Sequence, residues 1–312
     1  MKKTAVVFGG QGSQYVGLGK KIFEKYPEIG DLFDELGEPL KKIAFEGTPE
    51  EISKTKNLQP IMVTFQLGIW ELIKDFVTVD STCGLSLGEY GALVVSESID
   101  KMDGIKMVKE RGKVMEAAAE KEETTMLAVL NMERDDLERF LEKDFPEVFI
   151  GNQNSSKQIV VGGRVEEIQN LRKALKSQGH KGIPLKVSAA FHTPFMEEAA
   201  EEYEKTLEKI HFQSPKKKYY PNLTGEIYKG EDFPSLLKDQ IVSPVMLYKT
   251  LKNMIEDGVS TFIEIGPGKV ISNILKKEFS DKEIEIYTLS NDEEAIEFVE
   301  ERRYGKEKNS VC

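Results

Sequence analysis

The chain has 312 residues, 39% of them hydrophobic, and a formal net charge of -11. It is long enough to bury one large core, or a large core carrying a smaller one, and too acidic for nucleic acid or an anionic membrane to be the expected main partner. Two cysteines, Cys83 and Cys312, exclude a disulfide framework or a cysteine-rich metal site; no run approaches the roughly 18 apolar residues of a membrane span, the apolar run over 5–8 is too short for a signal peptide, and a reducing cytoplasm is expected.

In chain order, residues 4–8 read as a first strand running into the turn Gly9-Gly10-Gln11-Gly12-Ser13-Gln14. This turn lacks the Lys-Ser/Thr of a P-loop, and Tyr15 interrupts a G-x-G-x-x-G pattern, so no nucleotide site is expected. An amphipathic stretch covers 17–26, a short helix starts at Pro49, and 60–74 is a largely apolar helix carrying Trp70. A buried strand is expected over 76–79. Next comes Gly84-Leu85-Ser86-Leu87-Gly88, a Gly-x-Ser-x-Gly sequence leading into helix-forming residues 90–95, and then a long helix over 101–121 containing Arg111.

From 125 the pattern changes to β-α-β-β-α-β, with strands over 126–130, 148–150, 158–161 and 182–187 and helices over 134–143 and 165–178. That order predicts a ferredoxin-like small domain over 124–194, inserted between the two parts, 1–123 and 195–312, of a larger domain. The chain is then helical over 194–210 and later reaches a strand over 261–265 that ends in Gly266-Pro267-Gly268. The alternation outside the insert predicts a parallel sheet covered by helices on both faces. The charged stretch 291–312 reads as a surface helix with a loose end.

A serine at a sharp strand-to-helix turn exposes its hydroxyl beside the unpaired N–H groups of the helix start. The same five residues also fit a glycine-rich βα loop with an ordinary serine. A nucleophilic Ser86 needs a base, and histidine is the usual one. His180 lies in a polar loop where a solvated imidazole is expected, and His211 fits a surface or capping residue. His192, in Ala189-Ala190-Phe191-His192-Thr193-Pro194, stands at the return from the small to the large domain, with apolar neighbours able to wall a cleft. A buried structural histidine fits those surroundings too.

Taken together, the segments Phe8-Gly9-Gly10-Gln11-Gly12-Ser13-Gln14, Gln59-Pro60, Gly84-Leu85-Ser86-Leu87-Gly88-Glu89-Tyr90, Arg111-Gly112 with Met115, Asn152-Gln153-Asn154, Gln158-Ile159-Val160, Phe191-His192, Gln240 before Ser243-Pro244-Val245, and Glu264-Ile265-Gly266-Pro267-Gly268-Lys269 stand in the order found in malonyl-CoA:acyl carrier protein transacylases. The chain resembles that family over roughly residues 4–290. The resemblance implies an α/β fold with an α/β-hydrolase-like large domain, and a ping-pong acyl transfer in which Ser86 attacks the malonyl thioester and His192 takes its proton. It further implies that the carbonyl of Gln240 orients the imidazole, that backbone N–H groups of Gln11 and Leu87 form the oxyanion hole, and that Arg111 holds the malonyl carboxylate.

Phe191 resembles the malonyl-selecting relatives, in which a bulky ring leaves less room for a branched acyl group. Two positions depart from the pattern: Leu85 stands where histidine is usual, and Met246 where Arg or Gln is frequent. The implied partners are malonyl-CoA and an acidic acyl carrier protein met by a local basic surface, for which Lys181, Lys186 and Lys216-Lys217-Lys218 are candidates. A monomer without metal or tightly held cofactor is expected. The alternatives are an acyl hydrolase of the same architecture, a polyketide trans-acting acyltransferase, and a catalytically silent module that docks carrier proteins.

Overall fold

The computed structural model describes residues 2–309. Its strands, in chain order, are β1 (Lys3–Phe8), β2 (Ser81–Gly84), β3 (Thr124–Leu130), β4 (Phe149–Ser155), β5 (Gln158–Arg164), β6 (Lys181–Pro184), β7 (Lys218–Tyr219), β8 (Val259–Ile265) and β9 (Glu285–Leu289). They form a five-stranded sheet in the order β7-β2-β1-β8-β9 and a four-stranded sheet in the order β4-β5-β3-β6. Every pairing in the first sheet is parallel and every pairing in the second is antiparallel.

Both faces of the parallel sheet are covered, and alternation within β1 divides them. Val6 and Phe8 join the core beneath the helices Thr55–Ile73, Glu89–Val95 and Lys101–Ala119. Ala5 and Val7 join a second core with Leu251 and Leu275, from the helices Leu247–Glu256 and Val270–Glu278. A strand with no solvent face reads as a continuous apolar run, which is why 4–8 is legible.

The second sheet buries one face under the helices Arg134–Asp144 and Val165–Ser177, through Leu127, Val129, Ile159, Val161, Leu137, Leu141, Ile168 and Leu171. Its other face sends Met126, Ala128 and Val160 into the large core, where they lie with Ala189 and Phe191. Its edge is also fastened to the larger unit: Gln153 N–H donates to the Val245 carbonyl (2.9 Å) and Val245 N–H to that of Gly151 (2.9 Å). These contacts set the small sheet directly against the loop that carries His192.

Three expectations are corrected. The strand expected over 76–79 forms at Ser81–Gly84, paired to β1 from Ala5↔Ser81 to Phe8↔Gly84 and to β7 on its other side. Burial between two partner strands outweighs the β-propensity of Phe76 to Val79, which stay outside the sheet. The helix expected from Pro60 begins at Thr55, with Pro60 inside it, because Thr55, Asn57, Leu58 and Gln59 are already buried. The strand expected over 182–187 is limited to Lys181–Pro184. The helix expected over 291–312 forms as Asp292–Asn309 and is docked at its start, where Asp292 accepts N–H groups of Gly19 and Ile22 (3.0 Å each) and Ala295, Phe298 and Val299 are buried; the end expected to be loose reaches outside the described residues. Cys312 lies outside the described residues.

Candidate active site

The parallel sheet ends at its carboxyl edge in the Gly-x-Ser-x-Gly turn. Gly84 closes β2, a single 3-10 turn covers Ser86–Gly88, and the helix Glu89–Val95 follows at once. Ser86 itself has φ of 51°, the left-handed region that a non-glycine residue enters at a cost of about 1–3 kcal/mol. The glycines around it are dictated by contact: a Cβ on Gly84 would stand 2.0 Å from the Gly88 carbonyl carbon, and one on Gly88 would stand 2.3 Å from the Phe8 oxygen. Asn222 clamps the turn, its Oδ1 accepting Ser86 N–H (2.6 Å) and its Nδ2 donating to the Gly84 carbonyl (2.6 Å). Such bonds offset the strain at roughly 1 kcal/mol each.

His192 arrives from the other sheet. Thr193 Oγ1 donates to the Ala190 carbonyl (2.5 Å), and Ala190 N–H donates to Thr124 Oγ1 at the start of β3 (3.0 Å), which fixes the loop. The imidazole Nε2 lies 2.6 Å from Ser86 Oγ, and Nδ1 lies 2.7 Å from the Gln240 main-chain oxygen. A carbonyl only accepts, so Nδ1 carries the proton and Nε2 presents its lone pair to the serine hydroxyl. Burial, with the nearby Arg111 charge as a second cause, depresses the His192 pKa to about 4. The ring is therefore neutral near pH 7, as a base must be.

Arg111 is only 1% exposed on the helix Lys101–Ala119. Its Nη1 donates to Gln59 Oε1 (2.9 Å) and its Nη2 to Gln240 Oε1 (3.0 Å), with Ser86 Oγ 3.4 Å from Nη2. The guanidinium lies 5.6 Å over the Tyr90 ring, and Nε has no partner. Among the described residues no carboxylate forms an ion pair with Arg111. A buried guanidinium in direct contact with neutral amides, a hydroxyl and a ring, and with no carboxylate bonded to it among the described residues, can take up an anion beside the serine.

Gln240 touches all three groups. Besides accepting from His192 and Arg111, it donates through Nε2 to the Ser86 carbonyl (3.0 Å) and to Glu89 Oε2 (2.6 Å). The first glycine-rich turn lies against the elbow: Gln66 Nε2 donates to the Gly9 carbonyl (2.7 Å), and a Cβ on Gly10 would come within 2.9 Å of the Leu85 oxygen. Gln11 follows directly, and Leu87 sits in the first turn after β2, where N–H groups lack an intrahelical acceptor. Phe191 is buried. Leu85 packs beside the second core. Met246 receives Arg134 Nη1 on its sulfur (3.0 Å), so a guanidinium from the small sheet's side stands next to the residue that departs from the pattern.

Ser86, His192, Arg111 and Gln240 are thus one contiguous group. His180 and His211 are not part of it: His211 is exposed, and His180 lies among Arg172, Lys173, Lys176 and Lys181 in a groove of about 700 Å³. Sequence reasoning assigned no role to Gln59, Glu89, Tyr219 or Asn222. Glu89 had a usable signal, a carboxylate within an otherwise apolar stretch; Asn222, in Tyr220-Pro221-Asn222-Leu223, had none.

The acyl transferase domain family matches residues 5–310. A malonyl CoA-acyl carrier protein transacylase of Bacillus subtilis is 36% identical over 287 residues, covering 89% of this chain and 90% of that protein. The crystal structure of malonyl CoA-acyl carrier protein transacylase from Clostridium perfringens superimposes with a TM-score of 0.89 at 33% identity over 99% of both chains. A second solved structure, a type II polyketide acyl-carrier protein in complex with its malonyl-transacylase, matches with a TM-score of 0.88 at 28% identity over 96% of this chain and 99% of that one. The chain belongs to the acyl transferase family and groups within it with the malonyl-CoA:acyl carrier protein transacylases.

Proposed function

We propose that the protein moves the malonyl group of malonyl-CoA onto the phosphopantetheine thiol of an acyl carrier protein, through a malonyl ester on Ser86. His192 Nε2 takes the hydroxyl proton as Oγ bonds to the thioester carbonyl carbon; the tetrahedral oxyanion lies on the N–H groups of Gln11 and Leu87. Collapse breaks the C–S bond, and the imidazolium returns its proton to the departing CoA sulfur. In the second half the carrier's thiol gives its proton to His192, its sulfur attacks the ester carbonyl, and Ser86 leaves as the protonated hydroxyl. Gln240 holds the imidazole by its carbonyl, and Phe191 narrows the acyl pocket.

The observation that carries the substrate is Arg111, a buried guanidinium next to the nucleophile with no carboxylate bonded to it among the described residues. A free carboxylate on the acyl group completes that site, and a charge-assisted pair there contributes roughly 1.5–3 kcal/mol. This favours a malonyl transferase over a general acyl hydrolase, which needs no such group, and over a silent docking module, which needs no nucleophile. Incubation with labelled malonyl-CoA and holo carrier protein is expected to move label to the carrier; release only as free malonate would refute transfer.

The fold is read in the same way. The nucleophile at the carboxyl edge of a parallel sheet supports an α/β-hydrolase-like large domain over 1–123 and 195–312. The β4-β5-β3-β6 order with both helices on one face supports a ferredoxin-like domain over 124–194. The protein acts as a cytoplasmic monomer. Its carrier docks on the small domain, where Arg172, Lys173, Lys176, Lys181 and Lys186 have no carboxylate partner among the described residues. Lys216 and Lys218 are committed to Glu97 (2.7 Å) and Asp257 (3.2 Å), and they lie at the opposite end of β2 from Ser86.

A further inference from the structure

Glu89 is fully buried one turn after the nucleophile, and every polar contact it makes is with a donor. Oε1 accepts the N–H of Asn222 (2.8 Å) and the hydroxyl of Tyr219; Oε2 accepts Nε2 of Gln240 (2.6 Å). Burial raises its pKa, and these donors together with Arg111 oppose that shift. The contact with Gln240 has a directional consequence. A primary amide has one accepting end and one donating end. Turned the other way, the Gln240 amide would set its oxygen against a carboxylate oxygen and its NH2 against the Arg111 guanidinium, leaving two acceptors facing each other and two donors facing each other. Glu89 Oε2 and the Ser86 carbonyl, both acceptors of Nε2 (2.6 and 3.0 Å), together permit only the orientation in which Oε1 faces Arg111 Nη2 at 3.0 Å.

We propose that Glu89 is a positioning residue for acyl selection: by fixing the orientation of the Gln240 amide it sets where the Arg111 guanidinium stands, and thereby how strongly the site prefers acyl groups bearing a carboxylate. The proposal rests on the reading of function above. In Glu89→Gln the Asn222 N–H and the Tyr219 hydroxyl hold the new amide's oxygen, so its NH2 faces Gln240 Nε2, donor against donor; the Gln240 amide is pushed from its place between the Ser86 carbonyl and Arg111, and Arg111 loses a fixed acceptor. A purely structural role for Glu89 would instead weaken reaction with every acyl group alike.

The test is the ratio of Ser86 acylation rates with malonyl-CoA and acetyl-CoA, followed by quenched-flow mass spectrometry in the full chain and in Glu89→Gln. The ratio is expected to fall about tenfold or more, the size of one hydrogen bond to a charged group, and Arg111→Ala combined with Glu89→Gln is expected to lower it no further than Arg111→Ala alone. An unchanged ratio, or fully additive losses, overturns the proposal. Should Glu89→Gln not fold, Gln240→Met carries the same expectation, since it keeps the main-chain carbonyl for His192 and removes the amide on which Glu89 acts; an unchanged ratio there is equally contrary. Absence of any malonyl adduct in the unsubstituted protein would refute the functional reading itself, and is seen before any variant is compared.

Discussion

At the scale of single residues, the chemistry depends on a buried neutral imidazole and a buried guanidinium set on either side of one serine hydroxyl. His192 is kept neutral by burial and by Arg111, with a pKa of about 4. The base is active above that value, so kcat/KM for malonyl-CoA is expected to stay level from about pH 8 to about 5 and to fall only nearer pH 4. An acid limb near the ordinary histidine value of about 6.5 would contradict the burial seen here. The linkage has the matching sign: below about 6.5 the unfolded chain takes a proton that folded His192 refuses, so this group costs stability as the pH falls toward 4. A carboxylate seated on Arg111 cancels the second cause of the depression, so the acid limb of kcat with a malonyl group stands above that of kcat/KM. The serine and histidine were legible because their neighbours are distinctive. Gln240's side chain was not, because only its carbonyl was expected to matter, and nothing in Asp239-Gln240-Ile241 reveals an amide shared by an arginine, a carboxylate and a main-chain oxygen.

Among the elements, long apolar or periodic runs were read correctly and short ones were not. The run 4–8 is β1, and the helix over 101–121 is Lys101–Ala119 with its N-cap Asp100 accepting Met102 N–H. The β-α-β-β-α-β order of the insert was visible because its helices are amphipathic and its central strands, β3 and β5, are apolar runs buried on both faces. β2 was missed by several residues: Ser81-Thr82-Cys83-Gly84 has weak strand character and gains its place only from β1 and β7, partners distant in sequence. Even so, the turn that follows was located, since its glycines are imposed by backbone packing that any sequence in this geometry must respect. The helices Gly30–Leu36 and Glu38–Glu46 went unread, and β7 is two residues long, below what periodicity can detect.

For the molecule as a whole, the distribution of charge matters more than the net value. The chain carries -11 overall, yet Arg172, Lys173, Lys176 and Lys181 gather on the small sheet's side with His180 around one groove. On the docking proposed above, an acidic partner would be steered there by a field that salt screens, with a Debye length of about 8–10 Å at physiological ionic strength. Transfer to carrier protein is therefore expected to slow as salt rises, and Arg172→Glu with Lys176→Glu to raise the carrier KM while sparing acylation by malonyl-CoA. Indifference of the transfer rate to ionic strength would remove this surface from the account. The meeting of the two sheets at Ser86 and His192 is a long-range property: 106 positions separate the pair, and the tie between β4 and Val245, together with Met126, Ala128 and Val160 in the large core, holds the two parts against each other.

The most direct test of the central claim, that a buried guanidinium beside an activated serine selects a malonyl group, is intact and peptide mass spectrometry after brief exposure to malonyl-CoA or acetyl-CoA. One malonyl adduct is expected on Ser86, none in Ser86→Ala, and in Arg111→Ala a larger loss of malonylation than of acetylation. An adduct on another residue, or equal losses of both acyl groups in Arg111→Ala, would contradict it.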